Sequence, residues 1–506
     1  MVDRVTRLDP TGGAWGRGEI VGEKDLHPDD WYFPCHFDGD QVLAGSLMVE
    51  GCVQLIYVHM LSLGLQTLVE EATFEPVVGA AQRVRCRGQV TPEHSLLTYR
   101  VHVAEVGLEP QPHVRADVDV LLGERVVVAF EGISVRLRGR PVTPPAFGER
   151  ALAEFATGSM AACFGPDFDC YATRRVPRIP NGDLHLMSRV VSVSGTRHDF
   201  RPGAELVAEF DMPQRPWFDA DGSPPRVPYS VLMELALQPC GFLSGWLGST
   251  LATPEEDFYF RNLDGEARLL CEPDLAGRTV RARAWLQAST ALDGVIIQKF
   301  GFELGCAGAT VYRGTTAFGY FRATALANQV GLDEGRRTPP WLTGEGVRFT
   351  PVAAGPAMPA GQLELLDEIA VVPDGGGRGR GYVRGRSAVD PTAWFFDAHF
   401  FQDPVMPGSL GVEAIVQALK AYAVAAGLGS RFTRPRFGQA ADHRTVWKYR
   451  GQIVRTDREM VVEVHVTDVR DQGDRVVVTG EGNLWKDGLR IYHVGGIAVS
   501  ISGAPS

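Results

Sequence analysis

Two histidines, each followed at the same distance by a glutamate, are the residues in this sequence best suited to acid–base chemistry. His36 precedes Glu50 by the same number of residues that separates His399 from Glu413. A neutral imidazole is a suitable base near pH 7. A carboxyl group buried among apolar side chains can hold a proton, because burial raises its pKa. Each pair could therefore remove one proton and deliver another.

Both pairs lie in a phrase that the sequence contains twice. Residues 31–50 align without a gap on residues 394–413. The same offset aligns residues 87–89 with 450–452, far downstream, and residues 16–18 with 379–381, upstream. One offset that holds over this span indicates two copies of a whole domain. The phrase matches at Trp31/Trp394, Phe33/Phe396, His36/His399, Phe37/Phe400, Gly45/Gly408, Ser46/Ser409, Leu47/Leu410 and Glu50/Glu413.

A weaker third copy stands between the two clear ones, at residues 217–238. It shares with them a glutamate and a glutamine four residues apart, a spacing that puts both side chains on one face of a helix. Here the pair is Glu234 and Gln238. The position that corresponds to the histidine is Ala220, and no histidine occurs from residue 199 to 330. The sequence predicts a middle copy kept for its fold and for Glu234.

Each copy is predicted to have one order of elements. A glycine-rich hairpin comes first, then the loop with the histidine, then one long apolar helix that begins near Gly45 or Gly408. Several strands of alternating pattern follow, so each copy is one helix with a curved antiparallel sheet, an α+β pattern. We expect proline-rich linkers at 140–145 and 337–340. The predicted domains are residues 1–145, 150–335 and 340–506.

Bulk composition narrows the classes of function. The chain has 506 residues, too many for one core, and a net charge of −11, which argues against nucleic acid or anionic membrane as a partner. Its eight cysteines include no Cys-x-x-Cys pair and are typical of reduced thiols in a cytoplasmic protein. The most apolar stretch, about residues 42–65, is interrupted by Glu50, Gln54 and His59. It predicts a buried helix and no membrane span.

These motifs resemble a known family. The run from Asp3 through Trp31, His36 and Gly45 to Glu50, together with residues 399–411, is similar to the β-hydroxyacyl-ACP dehydratase/isomerase family of fatty-acid synthesis. A histidine-free copy between two histidine-bearing ones resembles the tandem dehydratase region of polyunsaturated fatty acid synthases. Residues 164–168 and 260–265 carry the same resemblance.

The resemblance implies tandem hotdog folds, in which a sheet wraps around a central helix, and a site between two hotdogs. One hotdog supplies the histidine and the helix of its neighbour supplies the carboxylate. We expect copies two and three to pair, so that His399 works with Glu234. Copies one and two would instead join His36 to Glu234. Self-pairing across a dimer would use His36 with Glu50, or His399 with Glu413.

The implied reaction is dehydration of 3-hydroxyacyl-ACP thioesters to enoyl-ACP, with or without double-bond isomerisation, in polyunsaturated or polyketide-like lipid biosynthesis. All three copies carry glutamate where isomerising members of the family carry aspartate, which leaves isomerisation open. Backbone N–H groups near Gly45 and Gly408, at the helix starts, would stabilise the thioester oxygen. A hotdog acyl-thioesterase and a non-catalytic scaffold that binds acyl chains or carrier protein remain alternatives.

We expect no metal and no cofactor. The substrate would arrive on the phosphopantetheine arm of an acyl carrier protein, since the sequence contains no carrier-protein serine motif. Other synthase domains are further expected partners. Three copies leave one hotdog without a partner, which predicts either a homodimer or a missing upstream hotdog. Synthases of the type that the chain resembles carry a histidine-free copy ahead of each histidine-bearing one, and copy one has none ahead of it, so the resemblance implies a fragment or a shortened relative.

Overall fold

The chain forms two compact units, Met1–Pro144 (unit 1) and Pro145–Ser506 (unit 2). The structure is a computed structural model. It describes residues 1–503 apart from positions 38, 142–144, 220–226, 273, 293, 344–347, 353–356 and 359–360. Among the described residues, no helix is both long and apolar enough to cross a membrane.

Unit 1 is a curled antiparallel sheet around one long helix. In chain order its elements are β1 (Arg4–Asp9), β2 (Glu19–Asp25), α1 (Tyr32–Cys35), α2 (Gly45–Ser62), β3 (Val69–Pro76), β4 (Arg83–Cys86), β5 (Leu96–Gly107), β6 (His113–Leu122) and β7 (Arg125–Pro141). The strands pair in the order β1-β2-β5-β6-β7-β3, and β4 also pairs with β7. Helix α2 packs on β2, β5, β6 and β7. It buries Cys52, Leu55 and Ile56 there, which supplies the apolar core of this unit.

The first half of unit 2, residues 145–335, is called the middle region. It begins with α3 (Glu149–Thr157) and α4 (Met160–Phe164). Helix α5 (Tyr229–Trp246) packs on three of the strands, and its buried face includes Leu232, Leu235 and Phe242. The remaining elements are β8 (Arg189–Ser194), β9 (Glu205–Asp211), α5 (Tyr229–Trp246), β10 (Tyr259–Leu269), β11 (Thr279–Leu292), β12 (Val295–Cys306), β13 (Ala309–Phe321) and α6 (Ala323–Ala327).

The second half of unit 2, residues 336–506, is called the C-terminal region. Its long helix α8 (Gly408–Ala425) packs on five strands of a curled antiparallel sheet and is buried over nearly its whole length. The elements are β14 (Thr350–Pro351), β15 (Glu368–Val372), β16 (Tyr382–Ala388), α7 (Phe395–Ala398), α8 (Gly408–Ala425), β17 (Arg436–Gln439), β18 (Arg444–Tyr449), β19 (Glu459–Asp471), β20 (Arg475–Lys486) and β21 (Leu489–Ser502).

One strand pair fuses the two halves of unit 2. Strand β10 of the middle region pairs antiparallel with β18 of the C-terminal region, from Asp264 opposite Lys448 to Arg268 opposite Arg444. The result is one continuous fourteen-stranded sheet. Helices α5 and α8 pack against each other on it. The two helices thereby share one core, and side chains from both can meet.

The α+β class and the antiparallel sheet wrapped around a helix are confirmed. The glycine-rich hairpins are also confirmed, because β1 pairs with β2 and β15 with β16. The prediction of a linker at 140–145 is wrong for its first two residues. Arg140 and Pro141 continue β7 and pair with Glu70 and Val69, since a proline at a strand end removes only one donor; residues 142–144 lie outside the described part. The count of three copies and their boundaries stay predictions.

Candidate active site

A cavity of about 350 Å³ opens in unit 2 where the middle and C-terminal regions meet. Both halves supply its walls, and most of the wall is apolar. Because few water molecules compete inside such a space, the polar groups that face it interact strongly. The lining includes Met233, Glu234, Leu237, Phe260, Arg261 and Phe318 from the middle region and His399, Phe400, Met406, Gly408, Ser409 and Tyr449 from the C-terminal region.

Glu234 is the carboxyl group of this cavity. It stands on α5 and is 7% exposed. The Ser409 hydroxyl donates to its Oε1 at 2.6 Å and the Gln238 side-chain N–H to its Oε2 at 3.0 Å. Burial raises the pKa of Glu234 above its usual range, and the two hydrogen bonds oppose that rise only in part. The environment therefore favours the protonated acid at a higher pH than water does.

His399 is the basic group of the cavity. It follows α7 and is partly buried. Its Nδ1 lies 3.0 Å from the carbonyl oxygen of Val405, which can only accept, so Nδ1 carries the proton. Burial lowers the pKa of His399 to about 3. The imidazole is thus neutral at ordinary pH, with the lone pair of Nε2 available as a base.

The start of α8 completes the polar part of the wall. The helix begins at Gly408, and its first N–H groups have no carbonyl partner within the helix. A Cβ at Gly408 would lie 2.7 Å from the Tyr449 ring, so only glycine fits this approach. The Tyr449 hydroxyl also donates to the Gly408 carbonyl at 3.3 Å. This helix start is a site where a developing oxyanion could be stabilised.

Glu413 lies away from this cavity. It is 1% exposed, and its Oε2 accepts the backbone N–H of Ser230 at 3.1 Å. As with Ser409 and Glu234, a serine near the start of one helix donates to the glutamate of the other helix, but Ser230 does so through its backbone N–H and Ser409 through its hydroxyl. Ala220, the position expected to replace a histidine, lies outside the described residues. The structure therefore brings His399 together with Glu234 and not with Glu413.

In unit 1 the sequence-predicted residues lie in a different setting. His36 bonds through Nδ1 to the carbonyl of Val42 at 3.0 Å, as His399 does to Val405. Gly45 begins α2 and is exposed. Glu50 is also exposed and accepts a hydrogen bond from Gln54 at 3.1 Å. Unit 1 alone thus presents the histidine loop and the helix start without burying its carboxyl group.

Sequence reasoning missed one charged pair at the cavity. Arg261 of β10 donates two hydrogen bonds to the Asp403 carboxylate, at 2.6 and 2.8 Å, and a third to the Gln452 side chain. A signal was present, because Asp40 and Gln89 occupy the matching positions of the first copy. Among the described residues, no cluster of three or more His, Cys, Asp or Glu side chains could hold a metal ion.

Fold and site together define a protein of curled antiparallel sheets wrapped around long helices, with an apolar cavity lined by a histidine and a buried carboxyl group. The family model described as FabA-like domain matches residues 1–131 and 358–495. These ranges cover more than half of the chain and include both histidine-bearing copies. The chain therefore belongs to the family of FabA-like domains.

Similar proteins extend this picture. One of the subunits of a polyunsaturated fatty acid synthase from Thraustochytrium is 32% identical, over all of this chain and 44% of that protein. This chain thus spans less than half the length of that relative.

Solved structures resemble the chain only weakly, and the family assignment does not depend on them. A bifunctional dehydratase-cyclase domain from ambruticin biosynthesis is 15% identical and covers 63% of this chain and 96% of its own, with a TM-score of 0.33. An acyl-ACP thioesterase from Bacteroides thetaiotaomicron is 11% identical and covers 59% and 98%, also with a TM-score of 0.33.

Proposed function

We propose that this chain is a 3-hydroxyacyl-ACP dehydratase that removes water from thioester-bound acyl chains. The observation that carries the proposal is one apolar cavity lined by a neutral histidine, His399, and a carboxyl group with a raised pKa, Glu234. Membership of the FabA-like family agrees with it. The similarity to part of a polyunsaturated fatty acid synthase suggests lipid biosynthesis with several double bonds as the setting.

In the proposed reaction His399 takes the proton next to the thioester carbonyl through Nε2. The Nδ1–H bond to Val405 holds the ring in the tautomer that leaves Nε2 free. Negative charge then gathers on the thioester oxygen, where the first N–H groups of α8 at Gly408 stabilise it. Glu234 protonates the departing hydroxyl, which leaves as water. A double bond forms between the carbon that lost the proton and the carbon that lost the hydroxyl. His399 gains one proton and Glu234 loses one, so the two transfers balance.

The acyl chain is proposed to arrive on acyl carrier protein and to stay attached to it, with the phosphopantetheine arm in the cavity. Neither proton transfer needs a metal or a cofactor of this chain.

We further propose that the middle region is a third hotdog without the base, which lends Glu234 to the histidine of its neighbour. Its long helix under a curled sheet and its strand pairing with the C-terminal region support this.

Unit 1 is proposed to hold a second site that a further hotdog completes. His36 makes the same hydrogen bond as His399, from Nδ1 to the carbonyl six residues later, while Glu50 is exposed. The further hotdog is either unit 1 of a second chain, which would supply its Glu50, or another synthase domain, which would supply a carboxylate in the role of Glu234. Measurement of the mass of the protein in solution distinguishes these two alternatives, because only a second chain requires a dimer.

Turnover of 3-hydroxyacyl thioesters, linked to pantetheine or to carrier protein, tests the proposal. Wild type should release water and form enoyl thioester, and His399→Ala and Glu234→Gln should lose most of that activity at this site. Resolving products by double-bond position also reports on isomerisation. Release of free acid by wild type would establish a thioesterase instead. Binding of acyl-carrier protein with neither reaction would establish a scaffold.

A further inference from the structure

The middle region holds the loop that carries His399 from both sides. This loop, residues 399–407, joins α7 to α8 and is called the His399 loop. On one side, at the end of α7 directly before the loop, the Asn181 side chain donates to the carbonyls of Asp397 and Ala398, at 3.2 and 3.1 Å. The backbone N–H of Asn181 also donates to Ala398 at 2.9 Å. On the other side stands Arg261, so the histidine lies between two anchors from the other half of unit 2.

The anchor at Arg261 is a paired, shielded charge. Its guanidinium bonds to both oxygens of Asp403, at 2.6 and 2.8 Å, and the two side chains are only 11% and 15% exposed. Bidentate ion pairs of this kind fix the orientation of the two side chains as well as the distance between them. Removal of one partner leaves the other charge shielded and unpaired, which is costly. Asp403 is therefore held where Arg261 puts it.

Asp403 in turn fixes the turn behind His399. Its backbone N–H donates to the carbonyl of Phe400 at 3.0 Å, and the N–H of Phe400 donates back at 3.0 Å. Two residues further on, Val405 accepts the Nδ1 bond of His399 and donates its own N–H to the His399 carbonyl at 2.8 Å. A shift of Asp403 would thus move the carbonyl that orients the imidazole.

Arg261 is itself immobilised. Its Nε donates to the Gln452 side chain and its Nη1 also donates to the carbonyl of Phe260 at 2.8 Å. All three guanidinium nitrogens of Arg261 donate hydrogen bonds. The planar guanidinium can donate in these directions at once, and a lysine ammonium cannot.

We propose that Arg261 is the positioning residue for His399, acting through Asp403. The middle region then contributes two functions to the site, the acid Glu234 and the orientation of the base. This inference rests on the proposed role of His399. Arg261 does not take part in proton transfer, and its effect is on the angle and distance at which Nε2 meets the substrate.

The charge of Arg261 gives this role a signature in pH dependence. Burial is the main cause of the lowered pKa of His399, and the positive charge of Arg261 lowers it further while Asp403 opposes it. The other charged or acidic groups on the cavity wall are Glu234, Arg178 and Arg450. Loss of the arginine charge raises the pKa of His399, and the acidic limb of activity moves to higher pH.

The experiment compares the full chain with Arg261→Gln, Arg261→Lys and Arg189→Gln in dehydration of a 3-hydroxyacyl thioester. Arg189 is the matched control, because it bonds to both oxygens of Asp211 and to Glu209 at the far edge of the same sheet. We expect kcat for Arg261→Gln to fall roughly 10- to 100-fold with little change in KM, since a misplaced base slows chemistry more than binding. Lysine should restore little of the loss, and Arg189→Gln should keep wild-type kcat.

A double-mutant cycle with Asp403→Asn completes the test. The pair Arg261→Gln with Asp403→Asn should be no slower than Arg261→Gln alone, because both changes break one connection. Should Arg261→Gln fail to fold, Asp403→Asn by itself gives the same fall in kcat, and its acidic limb should move to lower pH, because the Asp403 charge opposes the lowered pKa of His399. Wild-type kcat and pH profile in folded Arg261→Gln, or in Asp403→Asn, would overturn the inference. Full activity of His399→Ala at this site would instead overturn the proposed function.

Discussion

The His399 loop of unit 2 and the loop that follows His36 in unit 1 hold their histidines by the same hydrogen bond in different surroundings. Each histidine bonds through Nδ1 to the carbonyl six residues later, at 3.0 Å in both. Gly39 has φ +75° and its counterpart Gln402 has φ +64°, so the turn keeps its left-handed residue whether or not it is glycine. The residue after the histidine differs between the loops, because Phe37 has φ +85° while Phe400 lies outside the left-handed region.

The difference lies in what covers the loops. Asp403 and Gln452 bind Arg261, whereas the matching Asp40 and Gln89 of unit 1 are exposed. Glu234 is buried on a helix of the other half of unit 2, but Glu50 is exposed on α2. The comparison teaches that a single sheet and helix can shape the histidine loop, while a buried acid beside the base requires a second helix.

The largest expected effect comes from removal of the base. His399→Ala should lower dehydration at the unit 2 site by about 10²- to 10⁴-fold, the usual contribution of a general base. His36→Ala is the matched variant and should leave that site intact. Single-turnover kinetics on acyl chains of several lengths would measure both. Equal loss in the two variants for every chain length would contradict the separation of the two loops.

Removal of the acid should cost somewhat less. Glu234→Gln keeps the shape of the side chain but cannot donate the proton, and we expect kcat to fall about 100-fold. Glu413→Gln is the control on the other helix, because Glu413 bonds to Ser230 and does not face the cavity. It should keep kcat within about threefold, in keeping with a group outside the proton transfers. A larger loss in Glu413→Gln than in Glu234→Gln would reverse the assignment.

Alanine in place of the glycine at each helix start should change the stability of the two units differently, because the two starts are packed differently. A Cβ at Gly408 would lie 2.7 Å from the Tyr449 ring, whereas at Gly45 nothing lies within 4 Å. Gly408→Ala should lower the free energy of unfolding by about 1–3 kcal/mol, as overpacking does, and Gly45→Ala should not destabilise the chain. Urea unfolding would test both. Similar unfolding curves for the two variants would argue against the tight contact at α8.

The smallest expected effect is on acid stability. The pKa of His399 is about 3 in the folded chain, against an ordinary value of 6.5. Between these values the unfolded chain binds the extra proton, so stability falls as pH falls. His399→Gln should therefore lose less stability than wild type from pH 5.5 to 4.5, by about 1.3 kcal/mol, because in that range the unfolded imidazole is largely protonated and the folded one is not. Parallel loss in both proteins would show that His399 is not held neutral.

Much of the scaffold could be predicted from local patterns. Alternating strands such as residues 475–484 and the helix starts at Gly45 and Gly408 follow from periodicity and from the repeated phrase. The linker at residue 140 failed because a proline at the end of a strand does not end the pairing of its neighbour. Arg261 was missed because the residue that it binds is distant in sequence and belongs to another copy.

The sequence by itself determined the repeated histidine loop, the helix that follows it and the glutamates on that helix, because each depends on residues close along the chain. Only the tertiary structure decided which glutamate meets which histidine. The pairing of β10 with β18 brings α5 against α8, buries Glu234 beside His399 and turns Glu413 toward Ser230. Spacing along the chain does not distinguish Glu413 from Glu234 as the partner of His399. The contacts that distinguish them join the two halves of one core, and those halves are far apart in sequence.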